Sequence, residues 1–223
     1  MIFTGILLNK IISKITKPIV HNSLNKKINI AFLLLSVIIA LIIIFKFYVM
    51  PNNYSVNKIE IYSKDIPPNF NNFKLLVFSD LHTGSIINKE NLKIAINKIN
   101  ELNPDIIFFL GDMVNYHSNE ALKYETLLKN IKIPAYGIYT IMGNHDYGYY
   151  TIWKNTDNYL NNIRQLFKLY ENLNWHILLN QNHIIKKGSQ QIAILGVENY
   201  SNPKKNKKYK NRADIKKAIT GVE

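Results

Sequence analysis

Cysteine is absent from this sequence of 223 residues. Without it the chain can form no disulfide and can offer no thiolate to a zinc ion, so disulfide frameworks and Cys-based zinc sites are excluded. Acidic residues are missing from the first 59 positions, which contain seven lysines. Hydrophobic residues make up 47% of the chain and charged residues 19%. This composition excludes a disordered chain and allows a substantial core.

The net charge of +13 is concentrated in two short stretches. The seven leader lysines and six basic residues in 204–212 together account for the whole excess, so the rest of the chain is neutral. A basic face spread over the fold is not needed, and we expect no nucleic-acid partner. For 204–212 two interpretations stay open: a solvated loop, or a contact with anionic lipid headgroups or a phosphate substrate.

A long apolar run predicts a transmembrane helix over residues 28–50. Every residue from Ile30 to Phe45 is apolar except Ser36. A helix from Ile30 to Val49 would span roughly 30 Å, about the thickness of the hydrocarbon core. A cleaved signal peptide is the alternative, but no small-x-small cleavage site follows the run. Five lysines precede the span, at positions 10, 14, 17, 26 and 27. The positive-inside rule then places the N-terminus in the cytoplasm and the remainder outside the cell membrane.

Three other segments are predicted, one before the transmembrane span and two after it. Residues 1–27 are predicted to form either an amphipathic helix on an anionic membrane surface or a loosely ordered basic tail. Residues 51–72 are predicted to be a linker with an edge strand around Ile59 to Tyr62. Residues 73–223 are predicted to be the regular domain.

The pattern after Phe73 alternates between buried strands and amphipathic helices. Leu75 to Phe78, Ile106 to Leu110 and Tyr136 to Met142 are short apolar runs typical of buried strands. Helical spacing of apolar residues fills the intervals, and a further helix with a hairpin follows. This order predicts an α/β fold with a sheet covered by helices. His176 is expected in the core, whereas His117 and His183 are expected on the surface and in the hairpin.

Three predicted strands end in clusters of polar residues. These clusters are Asp80-Leu81-His82, Gly111-Asp112 and Gly143-Asn144-His145-Asp146. In open α/β sheets, ligands bind beyond the carboxyl ends of the strands. Carboxylate, imidazole and amide donors together suit divalent transition metals such as Mn, Fe or Zn. Any one cluster is more easily explained as a turn or cap, but their shared position predicts a metal site for phosphoryl transfer.

These motifs resemble the first three motifs of the calcineurin-like metallophosphoesterase superfamily. The matching stretches are Ser79–His82, Gly111–Asn115 and Gly143–Asp146, and the resemblance runs from about Phe73 to Glu223. It is strongest to bacterial members with an N-terminal membrane segment. The resemblance implies the N-terminal part of a four-layer αββα sandwich, preceded by one transmembrane helix. It also implies hydrolysis of a phosphoester or pyrophosphate bond through a hydroxide bridged by two divalent ions, with a phosphorylated small-molecule or lipid-linked substrate.

The resemblance assigns a role to each matching residue. Asp80 and His82 would bind the first ion, Asp112 would bridge both ions, and Asn144 would bind the second. His145 would contact the phosphoryl group and stabilise or protonate the leaving oxygen. Asp146 would orient His145, as a carboxylate partner fixes the tautomer of an imidazole.

One departure from the family pattern is expected to matter. The family completes its site with a histidine after a following strand and with a Gly-His-x-His pair further on. This sequence contains neither of these two features. We therefore expect an incomplete form whose activity is in question. The alternatives are a catalytically inactive truncated membrane protein or a membrane-surface binding module.

Overall fold

The computed structural model describes residues 23–48, 54–201 and 211–222. The chain divides into two compact units, residues 1–53 and residues 54–223. The N-terminal segment before position 23 and most of the basic stretch 204–212 lie outside the described residues, and so do the predictions made for them.

The first unit contains one long helix, α1 (Ser23–Tyr48). Its window from Lys26 to Lys46 is 21 residues long, and by length and composition it is apolar enough to cross a membrane. At 1.5 Å per residue this window spans roughly 32 Å. The hydroxyl of Ser36 donates to the carbonyl of Leu33 at 2.8 Å, so the single polar side chain in the apolar run has a partner within the helix. From Ile30 to Phe45 the helix is apolar on every side except at Ser36, so this stretch has no polar face.

The second unit is an α/β domain built on a four-stranded parallel sheet. Its four strands lie side by side in chain order, and all three pairings are parallel. A two-stranded antiparallel hairpin follows. The elements in chain order are β1 (Leu75–Phe78), α2 (Lys89–Leu102), β2 (Ile106–Phe109), α3 (Asn119–Leu122), α4 (Glu125–Leu128), β3 (Ile138–Thr140), α5 (Thr156–Asn172), β4 (His176–Ile177), β5 (Gln181–Lys187), β6 (Gln190–Gly196) and α6 (Ile215–Ala218).

The sheet has a core on each face. Ile107, on the central strand β2, belongs to the larger cluster, which it shares with side chains from α2, α4 and α5. Its neighbour Ile106 points the other way and packs in a second cluster with Tyr139 of β3 and Ile185 of the hairpin. Successive residues of a strand face opposite sides, so a strand buried on both faces is apolar throughout. The α/β prediction with helices on a parallel sheet is confirmed.

Local sequence signals place the ends of the main helices. The side chain of Asn88 accepts a hydrogen bond from the backbone N–H of Glu90 at 2.9 Å and caps α2. Asn103 ends that helix in a left-handed conformation with φ of 43°. Asn155 caps α5 by accepting from the N–H of Asn158 at 2.8 Å. Short polar side chains that bond to nearby backbone groups favour such caps.

Two predictions from the sequence are wrong. The predicted edge strand around Ile59 to Tyr62 is not a strand, and both side chains are more than 80% exposed. A strand needs a neighbour to accept its backbone hydrogen bonds, and none of the described strands pairs with this segment. His176 is exposed rather than in the core, because Trp175 takes the buried position beside it. The expected surface position of His117 and hairpin position of His183 are confirmed.

Candidate metal centre

The three polar clusters lie on loops that follow β1, β2 and β3. Because these strands are parallel neighbours, their carboxyl ends meet at one edge of the sheet. Backbone hydrogen bonds join the first two loops beyond the strands. The N–H of Asp80 donates to the carbonyl of Gly111, and the N–H of His82 donates to the carbonyl of Asp112, both at 3.0 Å. The loops are therefore held together independently of their side chains.

Three of the predicted ligands have left-handed backbone conformations. The φ angles are 56° at Asp80, 40° at His82 and 57° at Asp112. Residues with a Cβ atom are disfavoured there by roughly 1–2 kcal/mol each. Such backbone strain persists where the surroundings enforce it, and it concentrates at functional sites. Here the left-handed conformations turn the chain so that the side chains of Asp80 and His82, two positions apart, come close to each other.

Two glycines allow the second and third loops to approach each other. A Cβ atom on Gly143 would lie 2.1 Å from Oδ1 of Asp112, and one on Gly111 would lie 2.2 Å from the backbone nitrogen of Gly143. Gly111 also has a φ of 88°. These positions need glycine because no side chain fits between the two loops.

Imidazole and carboxylate atoms gather where the loops meet. Nε2 of His82 lies 3.7 Å from Oδ1 of Asp80 and 3.9 Å from Oδ2 of Asp112. One ligand atom each from His82, Asp112 and His145 can be chosen so that all lie within 4.8 Å of one another. Two atoms that are each about 2.1 Å from a shared ion lie about 3–4 Å apart. The donor set and its spacing fit a divalent transition metal of the Mn, Fe or Zn type.

The two oxygens of Asp112 have different surroundings. Oδ1 accepts a hydrogen bond from the backbone N–H of His145 at 2.9 Å. Oδ2 is the atom directed at His82. The hydrogen bond fixes the rotation of the carboxylate and connects the second loop to the third.

His145 is held by a backbone carbonyl. Its Nδ1 lies 2.7 Å from the carbonyl oxygen of Asn115. A carbonyl can only accept, so Nδ1 carries a proton and Nε2 remains as the ring atom available to a ligand. The ring also packs edge-on against His82, with 4.7 Å between ring centroids.

Asp146 bonds to backbone amides and not to His145, the partner predicted for it. Its side chain is fully buried, and its two oxygens accept hydrogen bonds from backbone N–H groups. Oδ2 accepts from Asp112 at 2.8 Å and from Gly143 at 2.9 Å, and Oδ1 accepts from Met113 at 2.8 Å and Val114 at 3.3 Å. The predicted contact with His145 is therefore corrected, because that ring bonds to Asn115 and the Asp146 carboxylate is surrounded by amides. Asp146 joins the second loop to the third.

Burial dominates the protonation of Asp146. It raises the pKa of this carboxyl from 3.8 to about 7, and the nearby Asp112 carboxylate adds to the rise while the donated N–H groups oppose it.

Asn144 is placed by a tyrosine that sequence analysis did not single out. Its Nδ2 donates to the hydroxyl of Tyr150 at 2.9 Å. The sequence contains no pattern that pairs these two positions, because the contact depends on the loop after β3 folding back.

Glu120 is a second residue that sequence analysis missed. Its carboxylate accepts from the backbone N–H of Asn115 at 2.6 Å and of His117 at 3.1 Å. It therefore shapes the loop whose carbonyl holds His145. An acidic residue in the first turn of α3 was a visible signal, since such residues bond to free N–H groups at helix starts.

Comparisons with known proteins agree with the geometry. The family model for calcineurin-like phosphoesterases matches residues 73–219. The metallophosphoesterase YkuE of Bacillus subtilis is 36% identical over 107 residues, which is 46% of this chain and 36% of that protein. A Danio rerio protein named as a transmembrane protein with a metallophosphoesterase domain is 32% identical over 89 residues, or 40% of this chain and 20% of that protein.

A third relative has broader coverage. The metallophosphoesterase YkoQ of Bacillus subtilis is 29% identical over 157 residues, which is 68% of this chain and 52% of that protein. The matched region thus spans between a fifth and about half of the length of these curated relatives. The family model covers more than half of the chain, and it includes every ligand candidate described above. The chain belongs to the calcineurin-like phosphoesterase family.

Proposed function

We propose that this protein is a membrane-anchored, metal-dependent phosphoesterase that hydrolyses a phosphoester or pyrophosphate bond. The observation that carries the proposal is the convergence of His82, Asp112 and His145 at the ends of three parallel strands. Family membership agrees with it.

The chain offers ligands for two ions. Asp80 and His82 would hold the first and Asn144 the second, with Asp112 between them. Oδ1 of Asp112 accepts from a backbone N–H and Oδ2 faces His82, so the carboxylate would be held in place while it contacts an ion. When bound, two such ions lower the pKa of water and neutralise charge on a phosphoryl group, which is the chemistry that hydrolysis requires.

His145 would donate a proton to the leaving oxygen of the phosphoester. With Nδ1 held by the carbonyl of Asn115, a protonated Nε2 can donate to the oxygen that leaves phosphorus. The carbonyl fixes the ring orientation, so no reorientation is needed during the reaction.

The membrane part of the proposal rests on α1 and on the charge around it. A helix apolar over Lys26 to Lys46 suits a single span, and the lysines before it favour a cytoplasmic N-terminus. The catalytic domain would then lie outside the cytoplasm, with a phosphorylated small molecule or a lipid-linked phosphate as substrate. Protease digestion of intact and of permeabilised cells tests this orientation: the domain should be cleaved in both, and cleavage only after permeabilisation would reverse it.

The decisive test of the site is metal binding by the full chain in detergent micelles. Mn²⁺ content and hydrolysis of a chromogenic phosphodiester are measured for wild type and for Asp112→Asn, because an amide cannot supply the shared anionic oxygen. The matched control is Asp157→Asn, in the exposed first turn of α5. Wild type and the control should retain Mn²⁺ and Asp112→Asn should lose it, and any hydrolysis of the diester should be lost together with the Mn²⁺. Equal Mn²⁺ content in wild type and Asp112→Asn would refute the metal site.

A further inference from the structure

Tyr150 contacts two residues of the candidate metal centre at once. Its hydroxyl accepts a hydrogen bond from Nδ2 of Asn144 at 2.9 Å. Its ring lies against the ring of His145, with centroids 4.4 Å apart and planes inclined by 31°.

The hydroxyl contact leaves the oxygen end of the Asn144 amide free. An amide has a donating nitrogen on one side and an accepting oxygen on the other, and only the oxygen can bind a cation. With Nδ2 directed at Tyr150, Oδ1 points the other way. Rotation of the amide by half a turn would turn Oδ1 toward the hydroxyl, which can donate as well as accept, and would present a nitrogen that cannot bind a cation. A bound cation therefore selects the orientation seen here, in which the Tyr150 hydroxyl holds Nδ2 from behind.

The ring contact restrains the imidazole of His145. Asn115 holds Nδ1, His82 packs edge-on, and Tyr150 lies alongside the ring. These three contacts limit rotation about the bond that joins the ring to the side chain. Nε2 therefore keeps one direction.

Core packing does not explain the position of Tyr150. The residue is 43% exposed and is absent from both apolar clusters of the described domain. Its loop is nevertheless well held, because the N–H of Gly148 donates to the carbonyl of His145 at 2.8 Å and Nε1 of Trp153 donates to the carbonyl of Gly148 at 3.0 Å. A tyrosine on a fixed loop can position its neighbours.

We propose that Tyr150 is a positioning residue of the metal centre: its hydroxyl orients the Asn144 amide for a cation, and its ring holds His145 in place. The inference rests on the proposed metal site. Residues that orient a metal ligand from behind change metal affinity when they are removed, typically by about 10–100-fold.

The neighbouring Tyr149 provides a matched control. Its hydroxyl accepts from Nε of Arg212 at 2.8 Å. Tyr149→Phe and Tyr150→Phe therefore remove the same atom from adjacent positions on one loop, the first a partner of Arg212 and the second a partner of the predicted ligand Asn144.

The experiment titrates the metal-free full chain in detergent micelles with Co²⁺ and follows the visible d–d absorption. Tyr150→Phe should weaken the weaker of two binding steps about tenfold or more and leave the tighter step unchanged. Tyr149→Phe should match wild type. Tyr150→Ala, which also removes the ring, should in addition change the NMR chemical shifts of the His145 ring protons in the metal-free chain, whereas Tyr150→Phe, which keeps the ring, should change them much less.

The possible failures are distinct. If wild type binds Co²⁺ in two steps and Tyr150→Phe has the same two affinities, the positioning role is refuted while the metal site stands. If Tyr149→Phe weakens binding as much as Tyr150→Phe, the effect comes from loosening the loop, and the inference is again overturned. If wild type shows no d–d absorption, the proposed function fails and the inference fails with it.

Discussion

A single methyl group at Gly143 should disable the metal centre. In Gly143→Ala the new Cβ would lie 2.1 Å from Oδ1 of Asp112, 2.5 Å from its backbone nitrogen and 2.7 Å from its Cγ. Ordinary contacts of a carbon atom are about 3.5–4.0 Å. The two loops must therefore separate by about 1 Å and the Asp112 side chain must also move, because the new Cβ meets both the backbone and the side chain of Asp112.

Neither movement is easy. The nitrogen of Asp112 donates to Asp146, and Oδ1 of Asp112 accepts from the N–H of His145. Overpacking of this kind destabilises by about 1–3 kcal/mol, and each buried backbone hydrogen bond that is broken adds about 1 kcal/mol or more. We expect a loss of about 2–4 kcal/mol in the free energy of unfolding, accompanied by loss of Mn²⁺ from the site.

Gly221→Ala is the matched control. Gly221 has a φ of 78°, and a Cβ there meets no atom of the described residues within 4 Å. This variant therefore measures the strain of a positive φ, which Gly143 does not have, without crowding. Urea unfolding of the metal-free chain gives the stability, and Mn²⁺ retention after gel filtration gives the binding. If Gly143→Ala is within about 0.5 kcal/mol of wild type and keeps its Mn²⁺, the close approach of the loops does not organise the site.

Two further predictions concern the groups that support the ligands. Because the pKa of Asp146 rises from 3.8 in the unfolded chain to about 7 in the fold, the native state holds a proton that the unfolded state releases. The stability of the metal-free protein should decline as the pH rises through this window, and Asp146→Asn should flatten the profile. Urea midpoints taken at several pH values check this, and a flat wild-type profile contradicts it. Glu120→Gln should destabilise by about 1–3 kcal/mol, since one amide oxygen cannot replace two carboxylate oxygens for the N–H groups of Asn115 and its neighbours, and it should disturb the NMR signals of His145. Glu90→Gln, at an exposed ion pair on α2, is its control, and equal effects of the two substitutions would exclude a special role for Glu120.

Much of the fold followed from patterns of short range. Apolar runs at Leu75–Phe78 and Ile106–Phe109 predicted buried strands because a strand in a covered parallel sheet has two apolar faces. The sequence Asn103-Pro104 predicted the end of α2 because proline disfavours helix in the residue before it. The segment around Ile59 was not predictable in the same way. Its alternation suits a strand, but a strand also needs a partner, and a partner is a property of the whole fold.

For the metal centre too, the sequence decided some features and the tertiary structure decided others. The sequence by itself determined that Asp80, His82, Asp112 and His145 follow strands and offer metal-binding atoms, because residue type and position in the chain decide that much. Only the tertiary structure decided the partners of these residues. It gave the orientation of His145 to the carbonyl of Asn115 and turned Asp146 toward backbone amides. The physical reason is that a hydrogen bond depends on the direction and distance of two atoms, and these are fixed only when distant loops have packed together.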